Sequence, residues 1–164
     1  MDSKNNRGVI NHRERARQIN DFRNLLYCSI TPTDIDGCIE YQNKAYILIE
    51  IKYNDALMPC GQELAFTRMC DDFTKAGKMA ILILAEHYVD DCEKDVDVAM
   101  CIVRKYYFKF KWYDNFDGTV KNLTDRFIQS VNKIRYMITN PPQKMKWRQS
   151  WNANYILNSA SVRQ

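Results

Sequence analysis

The sequence predicts an α/β protein, a central mixed sheet of four to five strands flanked by helices. Three observations carry this. Ile49-Glu50-Ile51-Lys52 alternates apolar with charged residues, the period-two pattern of a strand. Met79-Ala80-Ile81-Leu82-Ile83-Leu84-Ala85 is a short apolar run without alternation, bounded by Gly77-Lys78 and Glu86-His87. Such a run reads as a strand covered on both faces. Between the two, Gly61 to Met69 opens a helix, with Leu64, Ala65, Met69 and Phe73 spaced to make one apolar side.

In chain order, a first helix begins near His12 and carries Arg13, Arg15, Arg17 and Arg23. Thr33-Asp34-Ile35-Asp36-Gly37 reads as a strand beside Ile49–Lys52. Residues 53–60 read as a loop before the second helix, and the buried strand follows. Lys109, Phe110, Lys111 and Trp112 alternate basic with aromatic, as in an amphipathic last strand with a basic face. Asn115-Phe116-Asp117-Gly118 makes a turn. Thr119 or Asn122 then leads a helix to about Met137, with Leu123, Phe127, Val131 and Ile134 as its inner stripe. Asn140-Pro141-Pro142 stops it. The expected organisation is one domain over residues 1–140 and a basic, aromatic tail over 141–164, containing Trp147, Trp151 and Tyr155.

Composition limits the class. At 164 residues and 46% hydrophobic, the chain has the size and apolar content of one folded domain. No stretch approaches the roughly 18 apolar residues that span a bilayer, and the N-terminus lacks the apolar core of a signal peptide. A soluble, cytoplasmic protein with no membrane partner is expected. Cys28, Cys38, Cys60, Cys70, Cys92 and Cys101 form no Cys-x-x-Cys pair, so reduced thiols are expected rather than zinc, an iron–sulfur cluster or a disulfide framework. The net charge of +4 is segregated. Acids concentrate between Glu86 and Asp97, while Arg104 to Arg135 and the tail are basic. Basic stretches toward both ends suit a phosphate-backbone partner, although a solvated face explains the same charges. His12 and His87 stand alone and read as structural.

The chemistry concentrates in two short segments. Side chains alternate across a strand, so Glu50 and Lys52 share a face, as do Asp34 and Asp36. A carboxylate pair beside an ammonium on apolar strands needs partners or a metal, because unpaired buried charge costs several kcal/mol or more. The plain alternative is a Glu50–Lys52 salt bridge on an exposed strand face. The functional alternative is a Mg²⁺ (or Mn²⁺) site held by Asp36 and Glu50, with the backbone carbonyl of Ile51 as a third ligand. Gln62, in the first turn of the following helix, is placed to reach back toward it.

Asp36, Glu50-Ile51-Lys52 and Gln62-Glu63-Leu64-Ala65-Phe66 together resemble the PD-(D/E)XK nuclease superfamily, over roughly residues 12–90. That family has a restriction-endonuclease-like core: a helix, a three-stranded meander, a helix and a further strand. Its RecB-like members carry Gln-x-x-x-Tyr where this chain has Phe66. The resemblance implies that Asp36 and Glu50 bind metal, that Lys52 orients water and stabilises transition-state charge, and that Gln62 holds the water or a phosphate. It implies Glu14 of the first helix as a further metal ligand. Asp34, which follows Pro32-Thr33, is the alternative first acid or a second ligand at the rim. Arg13, Arg17, Lys109 and Lys111 are the expected contacts to the nucleic-acid backbone. The implied function is Mg²⁺-dependent hydrolysis of DNA, as an accessory enzyme of recombination, repair, phage replication or defence, acting as a homodimer or larger assembly when two strands are cut. The other reading is an inactive nuclease scaffold that binds nucleic acid or protein as an inhibitor or assembly factor.

Overall fold

A computed structural model of the chain describes residue 22 and residues 24–139. The expected first helix, with Arg13, Glu14 and Arg17, and the tail from Asn140 on lie outside the described residues, as does the expected boundary at 140/141. The chain divides into two units, Met1–Asp34 and Ile35–Gln164. In the first unit the described residues form a tight turn, where Tyr27 and Ile30 exchange backbone hydrogen bonds of 2.9 and 3.0 Å.

The second unit is a five-stranded mixed sheet in the order β1-β2-β3-β4-β5, formed by β1 (Gly37–Tyr41), β2 (Ala45–Tyr53), β3 (Met79–His87), β4 (Ile102–Phe108) and β5 (Lys111–Tyr113). Every pairing is antiparallel except β2 with β3. A parallel pair requires a crossover, and helix α1 (Cys60–Lys75) supplies it. The α1 helix ends in a Gly77 of positive φ, with Ala76 and Gly77 donating to the carbonyls of Asp72 and Thr74. Helix α2 (Val120–Thr139) starts from a reciprocal cap, Thr119 N–H to Asn122 Oδ1 at 3.0 Å and Asn122 N–H to Thr119 Oγ1 at 3.3 Å.

The sheet is covered on both faces. Odd-numbered Ile47, Ile49, Ile81 and Ile83 pack with Leu123, Phe127 and Val131 of α2. Even-numbered Leu48, Leu82 and Leu84 pack with Phe66 and Cys70 of α1. Each fully buried Leu, Ile or Phe contributes about 1.5–3 kcal/mol of transfer free energy, so the two cores fix which face each strand residue takes.

Three expectations need correction. The first strand begins at Gly37, so Thr33 to Asp36 lie ahead of it. The buried line of α1 runs through Gln62, Phe66 and Cys70 with Met69 and Phe73 beside it, and Leu64 faces water. The helix is rotated so that its polar first turn, rather than Leu64, meets the end of β2. Residues 104–113 form a hairpin rather than one strand. Lys109 and Phe110 take φ of 49° and 64°, the left-handed pair of a two-residue turn, and Phe108 pairs with Lys111.

Candidate functional site

Glu50 lies two-thirds of the way along β2 and projects from the α1 face, on the same side as Leu48 and Lys52. It is 2% exposed. Lys52 Nζ donates to Glu50 Oε1 at 2.6 Å and to Gln62 Oε1 at 3.3 Å. The pair is therefore enclosed beneath α1, not spread on a solvated strand face. Gln62, 7% exposed, enters from the first turn of α1, the helix that Pro59 precedes.

Asp36 arrives from the other side. The register pairs Gly37 with Ile49, so the residue before Gly37 meets the part of β2 that β1 leaves unpaired. There Asp36 Oδ2 accepts the Ile51 N–H at 2.7 Å. The N–H and C=O of one strand residue point to the same neighbour, so the Ile51 carbonyl also faces the Asp36 side.

The electrostatics single out Glu50. Burial pushes its carboxyl above the ordinary range, the Asp36 charge pushes it further, and Lys52 and Gln62 pull it back. Gln62 eases the charge, yet among the described residues no donor reaches Glu50 Oε2 at hydrogen-bonding geometry. A buried acceptor without a partner costs on the order of 1–3 kcal/mol, more when charged. Among the described residues no group of three or more His, Cys, Asp and Glu side chains is placed to hold a metal ion. The donor set here is smaller: the Asp36 and Glu50 carboxylates and the Ile51 carbonyl. All three are hard oxygen donors of the kind Mg²⁺ takes while keeping several of its waters. Glu50 Oε2, buried and without a hydrogen-bond partner among the described residues, is the observation in this set that a cation would answer.

Asp34 belongs to the first unit. Lys109 sits in the β4–β5 turn, beyond Phe108, whose β3 partner Ile81 is three residues from Leu84 of the Glu50 row, and Lys111 lies over the Tyr113 ring on the α2 side of the sheet. Neither is near the Glu50–Lys52 pair. His87 accepts from the Val89 N–H through Nδ1 and lies against the Tyr53 ring at a tilt of 58°, a structural arrangement.

The structure adds residues that sequence spacing did not single out. Glu50, Leu84 and Lys105 form one row across β2, β3 and β4. A β-bulge at Leu84/Ala85 inserts Arg104 beside them. Arg104 Nε lies 3.4 Å from Glu86, and its guanidinium donates to the Ala56 carbonyl at 2.8 Å, tying down the loop before α1. The only local signal was the pair Arg104-Lys105 interrupting a run of apolar and aromatic residues. Its relation to Glu50 needs the strand order.

No family model, curated protein or solved structure matches the chain. Its α/β architecture, a five-stranded mixed sheet between two helices, rests on the structure itself, and no helix of the described residues is long and apolar enough to cross a membrane.

Proposed function

We propose that the chain is a Mg²⁺-dependent deoxyribonuclease on a restriction-endonuclease-like core, hydrolysing phosphodiester bonds in DNA. The observation that carries the reading is the enclosed Glu50 carboxylate with one bare oxygen, flanked by Asp36 and bridged to Lys52. The antiparallel β1–β2 pair, the α1 crossover and the parallel β3 agree with that core, although among the described residues two strands precede α1 where the family has three.

Asp36, Glu50 and the Ile51 carbonyl would hold the cation. When bound, Mg²⁺ supplies charge neutralisation at a phosphate and acidifies a water. The chain's own residues do the rest. Lys52 puts an ammonium beside the carboxylates, where it balances negative charge that grows on the phosphate as water adds and the P–O bond breaks. Gln62 accepts from the Lys52 amine and eases the charge of the Glu50 carboxylate, so it holds the pair in place. The enclosing α1 keeps the pair out of bulk water, where such interactions weaken. DNA is the expected partner, and a homodimer the expected form where both strands are cut.

The test is cleavage of linear and circular DNA by the purified chain with Mg²⁺ or Mn²⁺. Lys52→Ala is expected to lower the rate about a hundredfold or more with the fold intact. Full activity in that variant would remove the mechanism. One observation favours a second reading, a non-catalytic module that binds nucleic acid or protein. Asp36 Oδ2 is already used to cap the open end of β2. Mn²⁺ titration separates the two, since only the nuclease requires a cation at Asp36 and Glu50.

A further inference from the structure

The face that carries Glu50 and Lys52 continues across the sheet into a second charged group. Lys105 stands in the same cross-strand row as Glu50, two strands away. At the usual strand spacing this is about 10 Å between Cα atoms. Its Nζ lies 4.0 Å over the Trp112 ring and 3.4 Å from Glu63 Oε2. Glu63 follows Gln62 in the first turn of α1, so one helical turn serves both groups. The Lys105 and Glu63 side chains keep 33% and 35% of their exposure.

That geometry is a loose, half-wet ion pair. Such pairs contribute little to stability and exchange readily for another anion. The Trp112 face holds the amine in place whichever anion it pairs with. Among the described residues, Lys105 makes its ion pair with Glu63 alone.

We propose that Lys105 is a substrate-binding residue of this site, releasing Glu63 to take the phosphate next to the one held at Lys52 on the same nucleic-acid strand. The inference rests on the nuclease reading for its substrate. Glu63 then acts as an internal competitor that occupies the amine when no strand is bound. The separation from Glu50 means that Lys105 engages a neighbouring phosphate and not the reacting one. It therefore adds affinity and register along the strand, with no part in bond cleavage. Lys105 also extends the positive side of the site toward Arg104, which Glu86 and the Ala56 carbonyl already hold.

The experiment measures binding of the full chain to a fluorescein-labelled single-stranded oligodeoxynucleotide by anisotropy, in EDTA so that no cleavage occurs, over a salt series. Lys105→Ala is expected to weaken binding about tenfold and to flatten the log–log salt slope by about 0.7, one phosphate contact. Lys105→Arg should retain binding, and Glu63→Gln should tighten it about threefold by removing the competing anion. Opposite signs for Lys105→Ala and Glu63→Gln are the signature, because a purely structural ion pair loses stability from either side and leaves affinity alone. Should Lys105→Ala unfold, Glu63→Gln and Lys105→Arg carry the comparison. Wild-type affinity and slope in Lys105→Ala, a shift of the same sign in both variants, or no binding by the wild-type chain would each overturn the proposal. With Mg²⁺ present, the Lys105→Ala loss should fall on KM and the Lys52→Ala loss on kcat. Binding that follows this pattern without any wild-type cleavage removes the nuclease reading and leaves Lys105 as a phosphate contact. Cleavage that depends on Lys52 but not on Lys105 removes this inference alone.

Discussion

Asp36 has two duties, and substitution separates them. Its carboxylate caps the Ile51 N–H at 2.7 Å and adds negative charge beside Glu50. Asn keeps an acceptor of the same reach without the charge, and Ala removes both. Asp36→Ala should therefore cost about 0.5–1.5 kcal/mol of stability for the lost hydrogen bond as well as DNA cleavage. Asp36→Asn should melt within a degree or two of wild type and still fail to cleave. Thermal melts set beside nuclease rates check this; an active Asp36→Asn would show that the charge is not used. Phe66 settles a different residue-scale point. The family resemblance would place a tyrosine there, but the side chain is 1% exposed within the α1 core. A hydroxyl at that position would need a buried partner, so the phenylalanine belongs to packing.

At the scale of elements, the β4–β5 hairpin is the least favourable piece of local sequence. Lys109 and Phe110 both occupy left-handed backbone, where residues with a Cβ pay about 1–2 kcal/mol each and Asn-Gly is the preferred pair. The double variant Lys109→Asn, Phe110→Gly is expected to raise stability by about 1 kcal/mol, a few degrees in melting temperature for a domain of this size. Calorimetry would show it, and a lower melting temperature would mean that the Lys109 and Phe110 side chains contribute more than their strain. The same hairpin shows where sequence patterning stops. β2, β3, α1 and α2 were legible because their apolar periods continue for two turns or more, or for a full strand. The Lys109–Trp112 alternation also has period two, but the turn residues carry none of the Gly or Asn that marks a reversal, so the run reads as one strand. The site divides in the same way. Glu50, Lys52 and Gln62 follow from alternation and from the start of α1, whereas Asp36 lies ahead of β1 and is placed by its contact with the Ile51 N–H. Lys105, Glu63 and Arg104 depend on strand order and on a bulge, both set by long-range pairing. The Leu64 stripe failed because i, i+4 spacing fits more than one helix rotation, and only the sheet decides which one is buried.

For the molecule as a whole, the enclosed Glu50 makes folding and function oppose each other. Burial and the Asp36 charge raise its carboxyl above the ordinary range. A folded-state pKa above the unfolded one means that the folded state favours the protonated form. The stabilising effect of that proton is complete below the ordinary glutamate pKa of 4.5 and is lost as pH rises through the raised value. Once the pH is above that raised value, the cation-free protein carries an ionised Glu50 that the fold would prefer neutral. Glu50→Gln removes this cost and keeps an oxygen for Lys52. It is expected to melt higher than wild type at pH 8 without added metal, with the gap closing as pH falls below the ordinary carboxylate range. Saturating Mn²⁺ should reverse the order, since a ligand that binds only the folded state stabilises it, and only the wild type retains the second carboxylate. Calorimetry at two pH values, with and without Mn²⁺, reads both effects without any measurement of cleavage. If Glu50→Gln melts lower at pH 8 in the absence of metal, Glu50 is a satisfied structural anion. The carboxylate would then have no need of a cation, and the site would lose the feature that points to one.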